Sequence, residues 1–143
     1  EAQTVHEAGG SEAQEIGVLI AGAVDLLRRL EAAGLAASEA ASQIQFKLAL
    51  DANYGIGIAK LRAARRLWAR VQEALDLTPQ PMKIHAVTSA RMLTRYGAWV
   101  NMLRGTSACF AAATGGADAI SVRAFNAALS VPEELGRRIA RNT

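Results

Sequence analysis

Apolar residues recur at helical spacing in four stretches of the chain, and each stretch has its own boundary signals. The first opens at Ser11, which forms a Ser-x-x-Gln capping box with Gln14. It sets Ile16, Leu19, Ile20, Ala23, Leu27 and Leu30 on one stripe before Gly34 ends it. In the second, over residues 53–76, a rotation of about 100° per residue brings Leu61, Ala64, Leu67, Trp68, Val71 and Leu75 together and puts Arg62, Arg65, Arg66 and Arg70 opposite. An inward apolar face and an outward arginine face are predicted. The third, over residues 98–113, is apolar on nearly all sides and stops at Gly115-Gly116. The fourth opens with the capping pattern of Ser130, Pro132 and Glu133.

Between the helices lie short segments of strand character, over residues 44–50, 83–88 and 119–122, with a truncated strand at residues 3–5. Strand and helix alternate, which predicts an α/β protein of about four βα units with parallel strands and right-handed crossovers. Functional groups are then expected just past the carboxyl ends of the strands. A closed eight-unit barrel takes about 250 residues. The 143 residues present fit either an open four-stranded sheet or half of a barrel.

Composition narrows the class further. With 51% hydrophobic against 20% charged residues the chain builds a core rather than staying disordered. No apolar run reaches the roughly 18 residues of a membrane span and no signal peptide is recognisable, so no membrane association and a cytoplasmic location are expected. The first residue is Glu1 rather than Met, as expected of a piece of something longer. The single cysteine, Cys109, excludes an internal disulfide framework and a thiolate zinc cluster. Sixteen basic against thirteen acidic residues leave a net charge of +3, too little to argue for nucleic acid.

The candidate chemistry is sparse. Gly55-Ile56-Gly57-Ile58-Ala59-Lys60 has neither phosphate-loop spacing, so its glycines are expected to let a helix approach the sheet closely. Lys60 sits on the apolar stripe of its helix and calls for snorkelling or a buried partner. His6 and His85 have no second ligand at a metal spacing, so no metal site is expected. Spacing alone favours a polar interior or loop role for both histidines over catalysis. The arginine face has Glu73 and Asp76 nearby and no interleaved aromatics, which reads as a solvated surface.

Particular strings say more. Ile58-Ala59-Lys60-Leu61-Arg62-Ala63-Ala64-Arg65-Arg66-Leu67-Trp68 resembles a helix of the substrate-binding barrel of the methylmalonyl-CoA mutase family. So do, in the right order, His6-Glu7-Ala8-Gly9, His85-Ala86-Val87-Thr88-Ser89, Asn101-Met102-Leu103-Arg104, Gly115-Gly116-Ala117-Asp118 and Arg138-Ile139-Ala140-Arg141-Asn142-Thr143. The resemblance covers essentially all of residues 1–143. It implies one partial domain, the C-terminal half of a TIM (β/α)8 barrel that threads a CoA ester along its axis and stacks on a separate cobalamin domain. The implied reaction is the radical interconversion of methylmalonyl-CoA and succinyl-CoA, started by adenosylcobalamin.

The departures from the family pattern are concentrated where substrate is bound. Catalytic chains of the family carry a Tyr-His pair shortly before the Glu-Ala-Gly string, and those positions hold Gln3 and Thr4 here. His6 lies two places later, where catalytic chains have Gln, and does not inherit the catalytic role. The CoA-binding Arg and Ser of the next strand are replaced by Gln43 and Gln45, which removes a charge able to pair with phosphate. His85 is kept, but the substrate-contacting Gln that follows it in catalytic chains is Val87. The substrate-pocket positions implied by resemblance are thus Thr4, Gln43, Gln45, His85 and Val87, with Glu7 facing the cofactor and no catalytic residue present.

Loss of substrate contacts on a retained scaffold resembles the small, non-catalytic chain of the heterodimeric mutases. Gly97-Ala98 and Ala124-Phe125-Asn126 stand where small chains usually look like Asp-Pro and Pro-Phe-Asp. The implied partner is a catalytic mutase subunit, or a second copy through self-association. Adenosylcobalamin and the CoA ester belong to the assembled enzyme, because the Asp-x-His-x-x-Gly string of a cobalamin domain is absent from these residues. Two other readings stay open at this point, a fragment of a catalytically competent acyl-CoA mutase and a stand-alone interaction module.

Overall fold

Three parallel strands, β1 (Gln45–Leu50), β2 (Lys83–Thr88) and β3 (Ala119–Ser121), lie side by side in the order β1-β2-β3. They belong to a computed structural model that describes residues 1–129 and 133–143. The register is direct, Leu48 opposite Ala86 and Ala86 opposite Ile120. Side chains alternate across the pleat, so Phe46, Leu48, Leu50, Ile84, Ala86 and Ile120 share one face. That face is the core, and Gln45, Lys47, Lys83, His85, Ala119 and Ser121 on the other stay exposed or half-buried.

The core face is covered by α2 (Glu12–Ala32), α4 (Tyr54–Ala74) and α5 (Val100–Thr114). Ser11 caps α2 with the predicted box, its hydroxyl accepting from Gln14 N and its own N–H donating to Gln14 Oε1. The α2 stripe then buries Ile16, Leu19, Ala23 and Leu27. Asn53 caps α4, and Trp68 packs edge-on against Phe46 with ring centroids 4.8 Å apart. The inner face of α4 is rotated from the predicted stripe. Leu61, Ala64 and Trp68 are buried, whereas Leu67 and Leu75 are exposed and Lys60 and Gln72 are buried instead. The rotation is stable because both polar ends find partners: Lys60 an acidic side chain, and Gln72 the backbone N–H and C=O of Gln80.

The segment read as a truncated strand, residues 3–5, is helical: α1 runs Gln3–Glu7. β-Branched Thr4 and Val5 carried the strand expectation, and tertiary bonds made by His6 and Glu7 override that preference. Just before it, Ala2 donates its backbone N–H to Lys47 O at the strand edge, at 3.4 Å. The described residues therefore hold three strands rather than four. A short helix that periodicity did not mark, α3 (Ala37–Gln43), buries only Ala40 and Ala41. Ser130 and Pro132 of the expected capping pattern lie outside the described residues; α6 (Glu134–Asn142) follows Glu133, whose side chain makes no capping bond.

Gly57 has the close-packing role expected of its string, although its neighbour is chiefly a helix: a Cβ there would meet Ala111 Cβ at 3.1 Å and Leu50 Cδ2 at 3.6 Å. Gly55 faces open space. The arginines of α4 divide. Arg62, Arg66 and Arg70 are exposed, whereas Arg65 donates to the carbonyls of Gly115 and Gly116 and approaches Asp118, capping the end of α5. Orphan carbonyls at a helix C-terminus attract such a cation.

Candidate functional site

The carboxyl ends of β1 and β2 lead into the turn at residues 51–53 and the long loop at residues 89–99, and α1 lies against both. The side chains that meet there are polar and buried. His6 Nε2 lies 2.9 Å from Ser89 Oγ, His6 Nδ1 lies 3.7 Å from Glu15 Oε2, and Glu15 pairs with Lys60. His6, Glu15 and Ser89 are fully buried and Lys60 nearly so. The pair is tied to the sheet, since Glu15 accepts from Ala49 N at 2.8 Å and Lys60 donates to Ala49 O at 2.7 Å.

Glu7 holds the long loop. Its carboxylate accepts from Ala90 N at 2.8 Å, Arg91 N at 3.0 Å and Ser89 Oγ at 3.4 Å, and Arg123 Nη2 lies 3.6 Å away. Arg91 returns the contact by donating to His6 O and Gly10 O of the α1 segment. On the other side Arg123 ties the loop after β3 to β2, its N–H donating to Thr88 Oγ1 and its Nε–H to Thr88 O.

Burial pushes the His6 pKa below its ordinary 6.5, and the Lys60 and Arg91 charges push it the same way against the opposing pull of Glu15 and Asp51. The imidazole is therefore neutral near pH 7. The Ser89 hydroxyl already donates to Glu7, so the His6 to Ser89 bond is assigned with Nε2–H as donor; Nδ1 then keeps a lone pair and no hydrogen-bond partner. Elsewhere burial pushes the Cys109 thiol up, away from the reactive thiolate.

The order Ser89, His6, Glu15 invites comparison with a nucleophile, base and orienting acid. The geometry does not support that chemistry. Ser89 is wholly buried, its oxygen already accepts from Arg91 N, and 3.7 Å from Nδ1 to the carboxylate exceeds a hydrogen bond. The cluster fixes α1 and the loop ends to the sheet.

The positions singled out from sequence are distributed differently. Thr4 is exposed on α1. Gln43 ends α3 rather than lying on the strand, so only Gln45 stands on β1, exposed at its amino end. His85 and Val87 share the open sheet face with Gln45, and His85 Nε2 bonds Ser121 Oγ at 2.8 Å. Gln45, His85 and Val87 thus share one face, with Thr4 and Gln43 off it. Sequence reasoning did not find Glu15 or Ser89; the available signal was that Glu15 and Lys60 each place a charge on an otherwise apolar helix stripe.

The side chains present do not fit a cobalamin site of their own. Glu7, the position that the resemblance turns toward the cofactor, spends its acceptor capacity on the long loop and Arg123, and His6 and His85 are engaged with serines. Among the described residues no group of three or more His, Cys, Asp or Glu is placed to hold a metal, and no helix is long and apolar enough to cross a membrane.

Comparison with known proteins bears on this arrangement directly. The family model for methylmalonyl-CoA mutase matches residues 1–143. The chain is 50% identical over 139 residues to the methylmalonyl-CoA mutase small subunit of Streptomyces virginiae, covering 96% of this chain and 23% of that protein. It is 43% identical over 144 residues to a probable methylmalonyl-CoA mutase small subunit of Mycobacterium bovis, with the same coverage. Against the large subunit of Streptomyces virginiae the identity is 32% over 142 residues, covering 97% of this chain and 19% of that protein. The chain spans about a quarter of the length of the small subunits it matches. The family match over the whole chain and these identities place it in the methylmalonyl-CoA mutase family.

Proposed function

We propose that this chain is the wall of a substrate-type barrel in a small, non-catalytic mutase subunit, and that it serves by supporting a catalytic partner. The observation that carries the reading is the open sheet face. Gln45 and Val87 stand there where catalytic chains of the family place polar contacts to substrate, and no residue of the three described strands is an arginine. A CoA phosphate finds no bidentate partner on it.

The architecture supports the same reading. Strands in sequential parallel order, with helices covering one face and a half-polar opposite face, are compatible with part of a (β/α)8 wall. Ala2 on the free edge of β1 marks where a preceding strand would lie. The reaction of the assembled enzyme is then the interconversion of methylmalonyl-CoA and succinyl-CoA, with adenosylcobalamin held by the partner. This chain performs no step through the cofactor.

The test is reconstitution with the full chain. Purified alone it should show neither mutase turnover nor CoA-ester binding by calorimetry, and with a large mutase subunit it should form a stable heterodimer by sedimentation. Turnover or CoA-ester binding by the chain alone overturns the reading, as does failure to pair.

A further inference from the structure

We propose that α1 is an acid-released latch: a proton gained by His6 displaces α1 from Ser89, draws the Glu7 carboxylate off the backbone of Ala90 and Arg91, and frees residues 89–91 at the start of the long loop. The inference stands apart from the subunit reading, since it concerns only how α1 holds the loop.

The geometry makes the two residues act together. His6 and Glu7 are neighbours on a helix of five residues, with Ala2 bonded to Lys47 on one side and the capped start of α2 on the other. His6 points into the fully buried cluster, and Glu7 takes the N–H groups of Ala90 and Arg91. His6 and Glu7 share this short helix, so a displacement of α1 that expels His6 moves Glu7 with it.

The charges around His6 set the direction. Glu15 from α2 faces it, as do Lys60 from α4, Asp51 from the turn after β1, and Arg91 from the loop; Glu7 and Arg123 pair beside it. Glu15 already has Lys60 as its cation and a backbone N–H besides. An imidazolium would be a second cation against one buried carboxylate, with Arg91 adding repulsion. The lowered proton affinity of His6 agrees with this accounting.

Hydrogen exchange read by mass spectrometry on the full chain tests the latch, with rates normalised to the intrinsic rate at each pH. Between about pH 7.5 and about pH 5 the segment at residues 89–93 should lose protection severalfold while β1 and β2 keep theirs. In His6→Gln, which keeps a donor for Ser89 and cannot titrate, the segment should stay protected throughout. In Glu7→Gln, which weakens the clamp itself, it should be open at both pH values. A flat wild-type profile, a persisting pH step in either variant, or simultaneous loss of protection in β1 and β2 overturns the proposal. If His6→Gln does not fold, Glu7→Gln decides by the same criteria.

Discussion

Lys60 and Glu15 form an ion pair closed off from solvent, and together they occupy both backbone polar groups of Ala49. Ala49 turns these groups away from β2, on the edge where Lys47 O receives Ala2 N. The pair therefore does what a neighbouring strand would do at the upper end of β1. It seals an edge that would otherwise present unpaired groups.

The energetic consequence is specific. Lys60→Met leaves a buried carboxylate without its cation and should cost about 3–5 kcal/mol. In most proteins an apolar double replacement recovers such a loss. Here Glu15→Leu with Lys60→Met also strips Ala49 of both partners, at about 1–3 kcal/mol for each unsatisfied group. Urea denaturation should show the double variant still clearly destabilised; recovery to wild-type stability would mean that Ala49 finds other partners.

Acid should weaken the fold through His6. Its folded pKa lies below 6.5, so between that lowered value and 6.5 the unfolded chain binds more protons than the native one. The contribution is fully present above pH 6.5 and is lost as the pH falls through the window toward the folded pKa. His6→Gln should remove this part of the pH dependence, visible as a flatter plot of denaturation midpoint against pH below 6.5. An unchanged slope would assign the acid sensitivity to other groups.

Two glycines should respond to alanine with opposite signs. A Cβ on Gly115 would meet Leu61 Cδ1 at 2.7 Å and the carbonyl oxygen of Ala111 at 2.9 Å, and the second of these is backbone. Gly115→Ala should destabilise by about 1–3 kcal/mol. Gly17 is exposed within α2 and has nothing within 4 Å of such a Cβ, so Gly17→Ala should stabilise by about 0.5–1 kcal/mol through helix propensity. Thermal midpoints of the two variants, measured together, settle both signs.

What was legible in the sequence follows a physical division. The α2 stripe and its cap, the position of β2, and the extent of α4 rest on local patterns, whereas the face that α4 turns inward was decided by the partners of Lys60 and Gln72. Lys60 called for snorkelling or a buried partner, and Glu15 supplies the second. The failures are where long-range bonds decide. Residues 3–5 became helix because His6 and Glu7 bond residues more than eighty positions away. Arg65 left the solvated face because the carbonyls it caps lie fifty positions on. Periodicity contains neither fact, and Ala40 and Ala41 of α3 are too small to write a stripe.

The last prediction concerns the two edges of the sheet. At β1 the Glu15 and Lys60 pair and Ala2 already occupy both outward groups of Ala49 and the carbonyl of Lys47, whereas β3 borders an open groove of about 590 Å³ lined by Cys109, Ile120, Val122, Ala124 and residues of α6. Tyr96, Trp99 and Leu103 also stand exposed. The 143-residue piece by itself should therefore associate, and it should do so through the β3 side. Cys109 reports on this directly, since it is half-buried in that groove and is the only thiol in the chain. Its alkylation by iodoacetamide should slow as protein concentration rises, in step with the sedimentation coefficient. A concentration-independent rate with a monomeric sedimentation profile would mean that β3 needs no neighbour and that the sheet is self-sufficient, against its reading as part of a barrel wall.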